Sequence, residues 1–253
     1  MLLVVDVGNT NIVLGLMEGF DVRHQWRITT GTRTTDEFGL LLLQLLQLNG
    51  VEPSSLDGAA ISCVVPSTLY SIQKGIRRYL ELESLVVGRG LRTGMPVRMD
   101  NPREVGADRI VNAVAAREAY GAPVVVVDFG TATTLDCVDS SGAYAGGVIA
   151  PGYQISAEAL FQRTSKLPRV QVERPKRVIG TNTVHSMQSG LFWGYVGLVD
   201  GLAARCKAEL KGEVPCVATG GLANLLSKDS QQIDRVDDFL TLRGLRILWE
   251  RNR

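Results

Sequence analysis

Short apolar runs alternate along the chain with longer segments in which apolar residues recur every three or four positions. Short runs that are rich in Val and Ile and bounded by turn residues predict β-strands. The runs of this kind are residues 1–6, 12–17, 59–63, 85–87, 124–127, 134–138, 147–149 and 216–219.

The segments between these runs have the pattern of amphipathic helices. Residues 34–37 supply cap residues and first-turn acids ahead of a Leu-rich segment that continues to Leu48. Residues 67–80 carry apolar side chains on one helical face, and residues 183–210 predict a single long helix that precedes a last helix near the end of the chain. Strands that alternate with helices predict an α/β layer fold.

The predicted long helix contains four glycines at spacings that place them on one face. They are Gly190, Gly194, Gly197 and Gly201. Glycine lowers helix propensity, so we expect close packing of another helix or domain to offset the loss. The same face could instead serve a dimer.

An internal repeat divides the chain. The segment Val4-Val5-Asp6-Val7-Gly8-Asn9-Thr10 recurs as Val126-Val127-Asp128-Phe129-Gly130-Thr131-Ala132, about half a chain length later. In both copies an apolar run ends in Asp-x-Gly and a second apolar run follows, which predicts strand, tight turn, strand. A chain of 253 residues is also about right for two domains. We therefore expect related domains at residues 1–113 and 114–253.

Composition narrows the possible partners. The 27 Lys and Arg balance 26 Asp and Glu, so no overall field attracts nucleic acid or an anionic membrane. The first residues lack the basic region of a signal peptide, and the longest apolar stretch, residues 40–48, is too short to span a bilayer. The four cysteines have no CxxC spacing, which favours reduced thiols over zinc ligands or disulfides. We expect a cytoplasmic protein with no membrane or nucleic-acid partner.

The repeated Asp-x-Gly turns suit phosphate binding. Glycine lets the backbone approach an anion, exposed N–H groups and hydroxyls donate to it, and the carboxylate can hold hydrated Mg²⁺. One such turn alone is more often an ordinary hairpin, but two at matching places in two halves favour function. A third segment, residues 217–221 with Gly220 and Gly221, could let an adenosine lie against the backbone, or could be a simple strand-to-helix turn.

A predicted helix begins at Asp108 and Arg109. A carboxylate at a helix N-terminus stays ionised near neutral pH and could accept a proton from an attacking hydroxyl. It could equally serve only to complement the helix dipole. The chain has only two histidines, neither beside a nucleophile motif, so a carboxylate is the better candidate for a base.

The two turns and the third segment resemble the phosphate-1, phosphate-2 and adenosine motifs of the superfamily of acetate kinase, hsp70, actin and hexokinase. The resemblance implies two similar ribonuclease H-like domains, the actin/hexokinase-like duplicated fold, with ATP in an interdomain cleft. The chain contains no GxxxxGK[ST] loop and no GxGxxG motif after a strand. Other nucleotide-binding folds are therefore disfavoured.

Five blocks together resemble type III pantothenate kinases. They are residues 6–11, 106–109, 128–134, 146–152 and 180–183. This resemblance implies transfer of the γ-phosphate of ATP to pantothenate, which gives 4′-phosphopantothenate in the first step of coenzyme A synthesis. It also implies a homodimer whose substrate pocket is completed by the neighbouring subunit.

The resemblance assigns roles to individual residues. Asp108 is the proton acceptor, Asp128 holds a monovalent cation (K⁺ or NH₄⁺), and Asp6 holds Mg²⁺ through water. The residues implied in ATP binding are Asp6, Val7, Gly8, Asn9, Thr10, Asn11, Ile12, Val13, Thr131, Gly220 and Gly221. The residues implied in pantothenate binding are Gly106, Ala107, Asp108, Arg109 and Thr183, together with Met99, which stands where many family members have Tyr.

Two other functions are compatible with the same residues. One is a different small-molecule kinase or a phosphatase of the superfamily. The other is a non-enzymatic accessory factor in transcription that retains the fold, although no basic helix or DNA-reading motif is visible.

Overall fold

The computed structural model describes all residues from Met1 to Arg253, and the chain divides into two compact units. Unit 1 comprises residues 1–94, 101–115 and 239–253, and unit 2 comprises residues 95–100 and 116–238. The elements in chain order are β1 (Leu2–Val7), β2 (Asn11–Glu18), β3 (Asp21–Thr29), α1 (Thr35–Leu48), β4 (Gly58–Cys63), α2 (Pro66–Leu80), β5 (Ser84–Val86), α3 (Ala107–Tyr120), β6 (Val124–Phe129), β7 (Ala132–Val138), β8 (Tyr144–Pro151), α4 (Tyr153–Gln162), α5 (Thr183–Leu210), β9 (Cys216–Gly220), α6 (Ala223–Leu226), β10 (Arg235–Val236) and α7 (Leu240–Glu250).

The two units share one sheet topology. The strand order is β3-β2-β1-β4-β5 in unit 1 and β8-β7-β6-β9-β10 in unit 2. In each sheet the first three strands of the unit are antiparallel, and the other two are parallel to the central strand. The predicted α/β class with two similar halves is therefore confirmed.

Helices of its own unit cover each sheet, and in unit 1 they cover both faces, because Leu242 of α7 packs beside Val4 on the face opposite α1 and α2. In unit 1 the side chains of Val5, Ile61 and Phe38 belong to one buried cluster that includes residues of β1, β4, α1 and α2. In unit 2 Val127 and Phe192 belong to a second cluster that includes residues of β6, β9 and α5. Helix α1 begins as its sequence predicts, because Thr34 and Glu37 form a capping box.

Strand β3 was missed by the hydrophobic pattern. It is the edge strand of its sheet, and its residues alternate between exposed and half-buried. The exposed positions include Arg23 and Arg27, and the half-buried face includes Trp26. Because only one face of an edge strand is covered, charged residues interrupt the apolar run that would predict a strand.

The C-terminal helix α7 packs within unit 1. Gly244 lies against the backbone of Val111, and Gly58 lies against the ring of Trp249. The predicted division into residues 1–113 and 114–253 places this helix in the second half, whereas the structure returns it to the sheet of the first unit. The limits of independently folding domains stay a prediction.

Helix α5 is confirmed with its predicted bounds. A Cβ atom built at Gly190, Gly194 or Gly197 meets nothing within 4 Å, so no other part of the chain packs on these glycines. The expected close packing is therefore not supplied at these three glycines by this chain itself, and packing against a second copy at this face stays a prediction. None of the helices combines the length and the hydrophobicity needed to cross a bilayer.

Candidate active site

The first Asp-Gly turn, residues 6–10, lies at the end of β1 in unit 1. Gly8 N donates to Asn11 O (3.0 Å), and Thr30 Oγ1 donates to Gly8 O (2.7 Å), so the turn is held at both ends. A Cβ atom at position 8 would lie 3.1 Å from Asn11 O, which explains the glycine. The side chains of Asn9 and Thr10 are exposed and can contact a ligand.

The second Asp-Gly turn, residues 128–132, occupies the same place in unit 2. Gly130 N donates to Ala132 O (3.1 Å), and Thr131 is exposed at the tip. Only two residues separate β6 from β7, whereas three separate β1 from β2. The two copies of the repeat therefore place their Asp and Gly residues in the same way, and the lengths of their turns differ after the glycine.

Two further glycines pack on the second turn. A Cβ atom at Gly152 would overlap the carbonyl oxygen of Thr131, and one at Gly220 would lie 2.6 Å from Asp128 Oδ1. Gly221 N also donates to Phe129 O (3.2 Å). The structure thus brings the predicted Gly220 and Gly221 together with Asp128. Gly152 was not assigned a role from the sequence, although its block was one of the five that carry the family resemblance.

Asp108 lies in the first turn of α3 and is partly buried. Burial raises the pKa of this carboxyl above its ordinary value of 3.8, and the hydrogen bond that Arg109 N donates to Asp108 Oδ1 (2.8 Å) acts in the opposite direction. A Cβ atom at Gly106 would lie 2.5 Å from Asp108 Oδ1 and 3.7 Å from Val64, so Gly106 leaves room for the carboxylate. A carboxylate placed in this way can act as a general base.

The other predicted substrate residues lie in unit 2. Met99 Sδ lies 3.3 Å from the position that a Cβ atom would take at Gly146. Thr183, the first residue of α5, lines an open groove of about 700 Å³ with Asn182, Met187 and Gly190. Asn182 caps the helix by accepting from His185 N (2.9 Å). No group of three or more His, Cys, Asp or Glu side chains is placed to hold a metal ion by itself.

Solved structures resemble the chain over nearly its whole length. A conserved protein from Campylobacter jejuni, assigned to a Baf family of transcriptional activators, superposes with a TM-score of 0.61 at 18% identity, over 98% of this chain and 97% of that one. The activator of 2-hydroxyisocaproyl-CoA dehydratase from Clostridium difficile, solved with bound ADPNP, gives a TM-score of 0.50 at 13% identity, over 97% and 93%. At these identities the likeness concerns the fold alone.

Two units of one topology, each with an Asp-Gly turn between its first two strands, form the duplicated α/β fold that the sequence predicts. The sequence profile of the type III pantothenate kinases matches residues 2–205. A type III pantothenate kinase from Myxococcus xanthus is 55% identical over 253 residues, which cover 100% of this chain and 99% of that protein. The chain belongs to the type III pantothenate kinase family.

Proposed function

We propose that this protein transfers the γ-phosphate of ATP to the hydroxyl of pantothenate, giving 4′-phosphopantothenate and ADP as the first step of coenzyme A synthesis. The observation that carries the proposal is the 55% identity to a type III pantothenate kinase along the whole chain. The position of Asp108 in the first turn of α3 supports it, because the reaction needs a base beside the acceptor.

Asp108 accepts the proton of the attacking hydroxyl in this proposal. The hydroxyl oxygen forms a bond to the γ-phosphorus as the bond to the bridging oxygen of ADP breaks, and the proton passes to the carboxylate. Such transfers depend mainly on positioning and electrostatics. The raised pKa of Asp108 supports the role, because a carboxylate with a higher pKa is a stronger base.

ATP is bound by backbone and side-chain donors of both turns. We assign the phosphates to the first turn and to Thr131, and the adenosine to the backbone at Gly220 and Gly221. The contact between the Gly220 backbone and Asp128 supports this assignment, because it keeps the segment after β9 beside the second turn. The residues proposed for the first turn are Asp6, Val7, Gly8, Asn9, Thr10, Asn11, Ile12 and Val13.

Mg²⁺ fits Asp6, and a monovalent cation, K⁺ or NH₄⁺, fits Asp128. Carboxylate oxygens are the hard ligands that Mg²⁺ takes, and Mg²⁺ usually keeps several waters and binds substrate phosphates. These cations supply positive charge that offsets the charge on the phosphates.

Pantothenate is bound by Gly106, Ala107, Asp108 and Arg109. A guanidinium can pair with a carboxylate through two hydrogen bonds, so Arg109 suits the carboxylate of pantothenate. Met99 supplies apolar contact in place of the usual Tyr, since a thioether packs well on apolar groups.

A homodimer completes the pocket at Thr183. The open groove beside this residue and the uncovered glycines of α5 support a second copy at this face. We also propose that the protein works in the cytoplasm, because its four cysteines are free thiols and its reaction consumes ATP.

Pantothenate-dependent formation of ADP tests the proposal, measured with Mg²⁺ in K⁺, NH₄⁺ and Na⁺ buffers. We expect turnover with pantothenate, faster in K⁺ or NH₄⁺ than in Na⁺. Turnover only with other hydroxy acids would assign a different kinase activity. Tight ATP binding without turnover of any acceptor would favour a non-enzymatic accessory role.

A further inference from the structure

Ser62 is buried without a hydrogen-bond partner. It lies near the end of β4, its exposed fraction is 0%, and no atom accepts from or donates to its Oγ. A buried hydroxyl without a partner lowers stability relative to an apolar group of the same shape. Each such group in a folded protein therefore calls for an explanation beyond packing.

Packing alone does not explain the serine. Ala60 lies two residues earlier on the same strand, points to the same face and is also fully buried. An alanine at position 62 would fill nearly the same space and would leave no buried hydroxyl.

The neighbour of Ser62 across the sheet is Asp6. Strands β1 and β4 are parallel, and their register pairs Asp6 with Ser62 directly. Side chains paired in register lie on the same face of a sheet. The alternate residues Val5 and Ile61 point into the helix-covered cluster, so the aspartate and the serine share the opposite face.

The same pairing recurs in unit 2. The parallel register of β6 and β9 places Thr219 beside Asp128, and Thr219 is only 2% exposed. In both units, therefore, the residue that pairs with the aspartate of the Asp-Gly turn on the neighbouring parallel strand, β4 or β9, is a buried residue with a hydroxyl group. The recurrence indicates that the hydroxyl belongs to the turn and is not an accident of one strand.

The residues after Ser62 lie near both the first turn and Asp108. Val64 N donates to Val7 O (3.0 Å), and the Val64 side chain lies 3.7 Å from the position that a Cβ atom would take at Gly106. The Cβ position of Gly106 is in turn 2.5 Å from Asp108 Oδ1. Ser62 is thus two residues from Val64, which contacts the end of β1 and lies beside the start of α3.

We propose that Ser62 is a positioning residue for Asp6: its hydroxyl donates to the Asp6 carboxylate in the complex with Mg²⁺ and ATP, and so orients the oxygens that hold the hydrated metal. The proposal rests on the proposed function for the nature of the nucleotide and the metal. It predicts that the hydroxyl matters for binding of the Mg²⁺ complex of ATP and not for the fold.

The test compares Ser62→Ala, Ser62→Thr and Thr68→Ala with the wild type. Calorimetry measures the affinity for a non-hydrolysable ATP analogue with and without Mg²⁺, and a thermal melt reports stability. We expect Ser62→Ala to bind the Mg²⁺ complex about 10-fold more weakly or worse, since a hydrogen bond to a charged group is lost. Its Mg²⁺-free affinity stays within about 2-fold of the wild type, and its melting temperature is unchanged or higher.

Two variants separate this role from a structural one. Ser62→Thr keeps the hydroxyl, and threonine already occupies the matching position 219, so wild-type affinity is expected. Thr68→Ala removes a hydroxyl of the same unit that donates to Val65 O (2.9 Å), so it lowers the melting temperature and leaves affinity unchanged.

Three results would overturn the proposal. They are wild-type affinity of Ser62→Ala for the Mg²⁺ complex, a loss in Ser62→Thr as large as that in Ser62→Ala, and an equal loss with and without Mg²⁺. Binding of the analogue is measured without pantothenate. If Ser62→Ala weakens binding of the Mg²⁺ complex as expected but the wild type does not phosphorylate pantothenate, the proposed acceptor is rejected and the positioning role of Ser62 is retained.

Discussion

Gly220 stands directly against the carboxylate of Asp128: a Cβ atom at position 220 would lie 2.6 Å from Asp128 Oδ1 and 2.7 Å from Phe129 O. The residue also has a φ of 91°, a conformation that side chains other than glycine rarely adopt. The backbone after β9 and the second Asp-Gly turn are thus packed as one piece, with no room for a side chain between them.

Gly220→Ala should therefore displace Asp128 as well as strain the backbone. We expect it to lower the free energy of unfolding by about 1–3 kcal/mol and to weaken ATP binding and activation by the monovalent cation. Gly212→Ala is the matched control, because Gly212 has a φ of 84° and nothing within 4 Å of its Cβ position. Equal ATP affinities in the two variants would show that contact with Asp128 is irrelevant.

Asp108→Asn should separate activity from stability. Loss of the general base lowers turnover by about 10² to 10⁴ while ATP still binds. Near-normal turnover of this variant would reject Asp108 as the base.

The pH dependence of stability follows from the raised pKa of Asp108. The folded state holds the proton more tightly than the unfolded state, so ionisation destabilises the fold as pH rises from the ordinary value of 3.8 through the raised pKa. Asp108→Asn lacks this penalty, so it should melt above the wild type at neutral pH, and the difference should shrink as pH falls toward 3.8. Thermal melts over this range check the sign, and a difference that grows on acidification would contradict it.

Gly197→Ala should stabilise a single copy and weaken association. The Cβ position of Gly197 is open, so the substitution raises helix propensity by about 0.5–1 kcal/mol without a clash. If two copies meet at this face, added side-chain bulk holds them apart. Light scattering should show a larger dissociation constant for Gly197→Ala, and a still larger one for Gly197→Leu. Unchanged association of both variants would place the dimer contact elsewhere.

Cys206 should be the first cysteine to be alkylated near neutral pH. A hydrogen bond from Cys137 lowers the pKa of the Cys206 thiol below its ordinary value, whereas burial raises that of Cys216 to about 12. Cys137→Ala should slow alkylation of Cys206 by raising its pKa, and Cys63→Ala should not change it. Peptide mass spectrometry after a timed reaction with iodoacetamide measures the extent of alkylation at each cysteine. Alkylation of Cys63 before Cys206 would contradict the predicted order of reactivity.

Local features of the chain were sufficient for most elements and for the turns. The cap at Thr34 and the length of α5 could be predicted from the sequence, because capping and helical periodicity depend on residues within a few positions of one another. The Asp-Gly turns could be predicted because the same short sequence pattern occurs twice. Strand β3 could not be predicted in this way, since every second residue faces solvent and three of these residues, Asp21, Arg23 and Arg27, carry charge.

By itself the sequence determined the α/β class, the duplication and the residues that could carry chemistry, because these depend on short-range pattern and residue type. Only the tertiary structure decided that Ser62 stands beside Asp6, that Gly152 supports the second turn, and that α7 returns to the first sheet. The physical reason is that periodicity shows which face of a strand or helix is buried, but strand register and packing between distant segments select the partner that buries it.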